Sequence, residues 1–320
     1  MNWKENPNNK RNNNISAYAN SVFEQPWWLD VVAPNVWKEI LIVEEGEVIA
    51  RWPIVNKGYS IVMPKLTQTL GFWLSKKVID SDTFYNKRKE IINALLDKLP
   101  RNKSIKVRLD HKVDFFLPLY WKRYIIDPRI SYRFEDLTDI NAIYNGFNNI
   151  VKKNIKNAKN KLIVKTIDDI ELLLILMEKV FNLQKRKFPI SKDLIRNIYS
   201  ACKYYNAGKL LYALNQDGVL YSGAFLVYDE NVCYSLIGGT DPKYRSAGAA
   251  TLVDWESIKF ASTVSKSFDF EGSMIEGIEH FYRQFGGKPI VYYQIRKQNL
   301  VFEFYELLKP RIKSIIGFKQ

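Results

Sequence analysis

The stretch Gly238-Gly239-Thr240-Asp241-Pro242-Lys243-Tyr244-Arg245-Ser246-Ala247-Gly248-Ala249-Ala250 decides how this 320-residue chain folds. Before it, Val232, Tyr234 and Leu236 alternate as a strand. After it, Leu252, Val253, Trp255, Ile258 and Phe260 recur at helical spacing, so a helix opens at once. Small residues at a strand-to-helix junction let the backbone approach a ligand closely. The amides of the first helical turn and the helix dipole then favour an anion such as a pyrophosphate. Arg245 adds a charged fork for the same anion. The other reading of these letters is a tight loop in which small residues merely permit close packing.

Outward from this junction the periodicity predicts a regular order of elements. Upstream come a basic helix over 138–160, a strand over 161–166 and helices over 168–184 and 191–205. Strands follow over 209–216, 219–228 and 231–237, the first two joined by the turn Gln216-Asp217-Gly218. Downstream of the helix over 248–263 come a strand over 266–271, a helix over 276–286, a strand over 289–295 and a last helix over 299–308. The first half reads as a polar arm (1–16), a hairpin (38–43 and 47–54), a short strand (59–63), the loop Pro64 to Gly71, a helix (83–98) and a strand (104–110). Asp127-Pro128 marks the seam between the halves. The order is α+β with mixed sheets. It is not doubly wound, and no G-x-G-x-x-G occurs.

A second stretch carries ionisable chemistry. In Phe268-Asp269-Phe270-Glu271-Gly272-Ser273 the two aromatics face one side of a strand and the two carboxylates the other. Two carboxylates on one buried face raise at least one pKa, which suits a general base; two ordinary acids on a solvated face are the alternative. Glu271 ends the strand, where ligand-binding loops start. The next helix is expected to bury Ile275, Ile278, Phe281 or Tyr282, and Phe285. Glu279 and Arg283 fall at i,i+4 spacing as a surface pair.

Bulk composition narrows the class. Hydrophobic residues are 47% and aromatics 14%, enough for substantial cores and too many for a disordered chain. The formal net charge of +14 fits either an anionic partner or a compositional bias shared by Lys, Asn and Ile. Two cysteines, Cys202 and Cys233, exclude a disulfide framework and fit the cytoplasm. Two histidines without ligand spacing give no reason to expect a metal. The longest apolar run, Leu172 to Met177, is too short to span a bilayer, and the N-terminus has no apolar signal-peptide core.

Arg245, Gly248 and Ala250 match the [Q/R]-x-x-G-x-[G/A] motif, so the segment resembles motif A of the GNAT (Gcn5-related N-acetyltransferase) superfamily. Phe281-Tyr282-Arg283-Gln284-Phe285-Gly286 resembles that family's F-Y-x-x-x-G segment. Further segments resemble the two-domain FemAB-like and BioF2-like branch: Phe23 to Asp30, Met63 to Gly71, Gly238 to Arg245, Phe268 to Ser273, and the basic helix with Ile155, Lys156, Ala158 and Lys159. The resemblance implies tandem GNAT-like domains, each a mixed, mostly antiparallel sheet flanked by helices. Residues 17–128 would form an acceptor-side domain without a donor loop, and residues 129–320 a domain that binds acetyl-CoA or another acyl-CoA.

It implies donor binding by Arg245, Ser246, Ala247, Gly248, Ala249 and Ala250, with oxyanion stabilisation by the backbone at Gly238 and Gly239. Tyr282 would be the general acid, and Glu271, with Asp269 beside it, the base. Trp27, Trp28, Thr67, Gln68 and Thr69 are candidate acceptor-cleft residues. The acceptor would be an amine on a small molecule or a cell-envelope or polysaccharide precursor. Two alternatives stay open: a Fem-type peptidyltransferase taking its aminoacyl group from tRNA, and a non-catalytic RNA-binding or assembly protein on the same fold.

Overall fold

The computed structural model describes residues 17–80, 85–272 and 274–298. The predicted arm (1–16) and last helix (299–308) lie outside the described residues. The chain divides into two compact units, passing from one to the other within a strand at Arg129/Ile130 and again at Val291/Tyr292. Asp127-Pro128 thus lies inside a strand.

The N-terminal unit opens with a 3-10 turn and helix α1 (Pro26–Val32), with Pro26 at its first turn. Strands β1 (Trp37–Glu44) and β2 (Glu47–Lys57) form the predicted hairpin. Gly46 supplies the positive φ of its turn, together with Glu45. β3 (Ser60–Val62) pairs antiparallel with β2, and β4 (Trp73–Leu74) pairs with β2 elsewhere along its length. Helices α2 (Lys76–Asp80) and α3 (Asn86–Asp97) precede β5 (Ser104–Leu109), which runs parallel to β3. A short helix α4 (Leu117–Trp121) leads into β6 (Ile125–Phe134). The core gathers Trp52, Phe72, Ile91, Ile92, Leu95, Val107 and Leu109. Late in the chain, β12 (Lys288–Lys297) places Tyr293 to Lys297 antiparallel to β5 in this same unit.

In the C-terminal unit, the single helix predicted over 138–160 is two: α5 (Ile140–Gly146) and α6 (Asn149–Lys159). Phe147 ends one and Asn148 caps the other, its Oδ1 accepting from Ile150 N–H at 2.9 Å. Strand β7 (Ile163–Lys165) follows, then helices α7 (Ile170–Leu183) and α8 (Lys192–Tyr204), capped by Asp169 and Ser191. Three strands, β8 (Gly208–Leu214), β9 (Leu220–Tyr228) and β10 (Val232–Thr240), pair antiparallel. A 3-10 turn (Pro242–Ala247) feeds helix α9 (Ala249–Ala261). β11 (Ser267–Asp269) and helix α10 (Glu276–Arg283) complete the order.

β11 runs parallel to β10 and antiparallel to the end of β6. The unit is thus α+β with a mixed, mostly antiparallel sheet. Val151, Ile155 and Ala158 of α6 pack with Leu252, Val253 and Ile258 of α9 and with Phe268, Phe270 and Phe285.

One polar pair sits within this apolar interior. Asp269 is fully buried, and its Oδ2 accepts from Arg133 Nη2 at 2.7 Å and Nε at 2.9 Å. Its Oδ1 accepts from the Ser131 hydroxyl and from Glu271 N–H, the latter at 2.7 Å. The carboxylate faces a guanidinium and two further donors, so burial is compensated. Arg133→Ala would leave Asp269 charged and without its counter-ion. The expected cost is about 3–5 kcal/mol, read as a lower denaturant midpoint. Asp269→Asn in that background should recover part of the loss.

Candidate functional site

Strand pairing creates the site. β10 and β11 pair only from Val232 to Tyr234. Beyond Tyr234, β10 continues to Thr240 without β11, and its register against β9 shifts between Ser235 and Ile237. The chain after Asp269 instead turns away. Glu271 and Gly272 take positive φ values of 59° and 56°. A Cβ at Gly272 would lie 2.3 Å from the Ile130 carbonyl oxygen, so this turn requires glycine. The two strands therefore splay. A cavity of about 560 Å³ opens between them, lined by Gly238, Gly239, Arg245, Ala250, Glu271 and Tyr282 among others.

The sequence-predicted residues divide into those that reach this cavity and those that hold it. Gly238 and Gly239 lie within β10 rather than in a loop after it. A Cβ on Gly239 would approach Leu176 Cβ of α7 to 3.1 Å, so close packing also calls for a small residue there. Arg245 is exposed on the 3-10 turn and lines the cavity with Ala250. Ser246, Ala247, Gly248 and Ala249 are not among its lining residues. Ala249 is buried in the core. Gly248 is left-handed, with φ 72°, and a Cβ there would meet the Asn154 carbonyl of α6 at 2.8 Å. This glycine thus sets where α9 begins and how closely it seats on α6.

Asp269 departs from its expected setting. It does not line the cavity, and it is bonded to Arg133 and Ser131. The expectation of two carboxylates repelling across one strand face fails because β11 ends at Asp269. Glu271 follows in a left-handed turn, half-buried at the cavity.

Tyr282 stacks on Phe270 with ring centroids 4.7 Å apart. Burial, with the Asp254 and Glu271 carboxylates beside it, pushes its phenol above the ordinary tyrosine value. α10 corrects another expectation. Ile275 and Ile278 are exposed, at 64% and 41%. The apolar face of the helix turns to the cavity through Ile278, Phe281 and Tyr282, and Phe285 alone of the predicted set is fully buried. Across the opening, Leu183 of α7 is 68% exposed and also lines the cavity.

The sequence reading missed Asp254. It stands on α9 one turn beyond Ala250 and lines the cavity beside Val253. Among the described residues it makes no hydrogen bond or ion pair, and burial raises its carboxyl to about 7. An acid one turn into the helix, between the apolar residues Val253 and Trp255, was the available signal.

The candidate acceptor residues lie in the N-terminal unit. Trp28, Thr67, Gln68 and Thr69 are buried, and Trp28 Nε1 donates to Thr67 Oγ1 at 3.1 Å. Those four side chains hold α1 to the loop before β4 and offer a substrate little surface. Trp27 is half-buried, packed edge-on against Trp28. Among the described residues, no cluster of His, Cys, Asp and Glu could hold a metal ion.

Residues 147–274 match the acetyltransferase (GNAT) domain family, and they contain the splayed strands and the 3-10 turn into α9. The C-terminal unit thus carries a GNAT domain, and the chain shares its fold with FemX. Among solved structures, FemX aligns at a TM-score of 0.66 and 16% identity, covering 92% of this chain and 96% of its own. A conserved protein of unknown function from Bacteroides thetaiotaomicron aligns at 0.54 and 14%, covering 88% and 94%. The C-terminal domain of a putative lysylphosphatidylglycerol synthetase from Agrobacterium fabrum aligns at 0.53 and 11%, covering 86% and 88%. No curated protein matches the sequence significantly.

Two measurements test this geometry. Gly248→Ala forces a side chain into a left-handed position against α6 and should cost on the order of 1–3 kcal/mol, seen in thermal unfolding. Asp254 carries a raised carboxyl, so the folded state holds its proton at pH values where the unfolded chain has lost it. Stability from this group is therefore lost as pH rises from about 4 through about 7. Asp254→Asn should be more stable than wild type above about pH 7, and the difference should vanish near pH 4.

Proposed function

We propose that the chain is an acyl-CoA-dependent N-acyltransferase that moves an acyl group to an amine. The observation that carries this reading is the cavity, lined by Arg245 and Ala250 of the turn into α9 together with Glu271, Asp254 and Tyr282. The start of α9 suits a pyrophosphate, because first-turn amides, helix dipole and guanidinium all favour an anion. The fit to coenzyme A rests on the cavity between the strands and on Arg245 and Ala250, which line it. In this reading residues 129–320 supply the donor site and residues 17–128 the acceptor side, with Trp27 the one accessible member of its aromatic pair.

The chemistry then divides among the chain's own groups. Glu271, at the end of the splayed strand, takes the proton of the attacking amine, directly or through water. Asp254 is a second acceptor in the same cavity, able to pass that proton on. The edge of β10 beyond Tyr234 is not paired with β11, and its N–H groups stabilise negative charge on the thioester oxygen. Tyr282 keeps its proton at neutral pH and gives it to the departing thiolate. Asp269 acts through others. Its bond to Glu271 N–H fixes the turn that presents Glu271, which makes it a positioning residue. The exposed apolar side chains Leu183 and Ile278 at the cavity favour an acyl group or acceptor with an apolar part.

One observation favours a second donor. The lysine-bearing helix α6 packs against the start of α9 through Asn154, with Lys153 and Lys156 exposed. That surface would suit the larger anion of an aminoacyl-tRNA, passed to an envelope precursor. Calorimetric titration with acetyl-CoA, coenzyme A and charged tRNA separates the two. Acyl-CoA binding that Arg245→Glu weakens at least about tenfold supports the leading reading. Salt-sensitive tRNA binding without coenzyme A binding replaces it. With a working acceptor, Tyr282→Phe should lower kcat more than it raises the donor KM. An unchanged kcat would make Tyr282 structural.

A further inference from the structure

A patch on the N-terminal unit, far in sequence from the cavity residues, exposes an unusual set of side chains. On α4, Leu117, Tyr120 and Trp121 recur at helical spacing and are all exposed, Tyr120 to 67% and Trp121 to 50%. Ile125, where β6 begins, is exposed as well. Tyr85 at the start of α3 is exposed and stacks on Phe115, with ring centroids 5.1 Å apart, which joins α3 to the same surface. Single exposed apolar residues are ordinary, whereas an exposed Trp, two Tyr, a Leu and an Ile on one short region mark an interaction surface.

The charges around the patch indicate what covers it. Lys89 Nζ stands 5.1 Å above the Trp121 ring, and Arg123 is exposed two residues beyond it. Among the described residues neither forms an ion pair. Of the nearby acids, Asp97 pairs with Lys122 and Asp114 with Arg88, which leaves Glu90 beside Lys89 against the two cations. The surplus charge of the patch is therefore positive, like that of the whole chain at +14. A second copy is a poor occupant, because a two-fold contact would set Lys89 and Arg123 against themselves. Trp and Tyr have apolar bodies and polar tips, which suit the headgroup level of a bilayer, and the flanking cations are attracted to anionic lipids.

We infer that Leu117, Tyr120, Trp121 and Ile125, with Lys89 and Arg123 beside them, form a peripheral docking surface for an anionic lipid bilayer. Among the described residues no helix is long and apolar enough to cross a membrane, so attachment through this patch is interfacial and reversible.

Co-sedimentation tests this with the full chain and vesicles of equal parts phosphatidylglycerol and phosphatidylcholine, beside vesicles of phosphatidylcholine alone. Wild type should sediment with the anionic vesicles and be released by raised salt. The double variant Tyr120→Ala/Trp121→Ala should lower that partition at least about tenfold. Lys89→Glu/Arg123→Glu should lower it by a similar factor and flatten its salt dependence. All four sites are on the surface, and an unchanged melting temperature confirms that the variants fold. Failure to sediment with anionic vesicles overturns the inference. So does binding that the aromatic variant leaves undiminished, since charge alone would then explain it. A light-scattering dimer that Trp121→Ala dissolves would assign the patch to a second copy instead. None of these outcomes depends on the donor.

Discussion

The architecture of the C-terminal unit turns on how one buried carboxylate is satisfied. Asp269 is the last residue of β11, and both of its oxygens are occupied by donors, from Arg133, Ser131 and the amide of Glu271. Arg133 and Ser131 belong to β6, so the carboxylate ties the end of β11 to that strand. Its bond to the Glu271 amide bends the chain back on itself. Glu271 and Gly272 adopt left-handed φ, and Gly272 presses against the Ile130 carbonyl where no side chain fits. β11 is thereby held with β6 while β10 runs on with β9. The cavity is the space that this divergence leaves. A buried ion pair adds little net stability over a well-packed apolar replacement, but losing one partner is costly, so the pair is better understood as fixing geometry.

Most of the elements were legible because hydrophobic periodicity records which faces are covered. β8, β9, α7, α8 and α9 fall where alternation or helical spacing placed them, within a few residues. The departures share a cause, which is that local pattern does not say what lies opposite. Gly238 and Gly239 read as the opening of a loop, yet they continue β10, because α7 packs too closely there for a side chain. The apolar stripe of α10 reads as core-facing, but much of it lines the cavity and leaves Ile275 exposed. One helix was read across Phe147-Asn148, where an asparagine cap divides two.

The candidate site was legible in part for the same reason. The strand, small-residue turn and helix were visible as a unit, since the backbone conformations they require restrict the residues allowed. Gly248 is small because of φ 72° and the Asn154 carbonyl, which the letters alone could not distinguish from contact with a ligand. Asp254 carried no motif. Its place is evident only once α9 is set against the splayed strands, where a buried acid lines the cavity. Trp28 and Thr67 were candidates for the acceptor cleft through the family resemblance alone, and they satisfy each other in the interior.

The cavity is electrically polarised, and that polarity orders what can happen in it. At the start of α9, amide N–H groups and Arg245 concentrate positive potential. In the same cavity, Asp254 and Glu271 both act on Tyr282 and raise the energy of its phenolate. A phenol held protonated can donate a proton and cannot accept one at neutral pH, whereas a carboxylate can accept. Proton donor and acceptors are thus set by their mutual repulsion rather than by residue type alone. Under the proposed function, an anion held by Arg245 and the start of α9 would leave the carboxylates to attract a cationic or neutral amine.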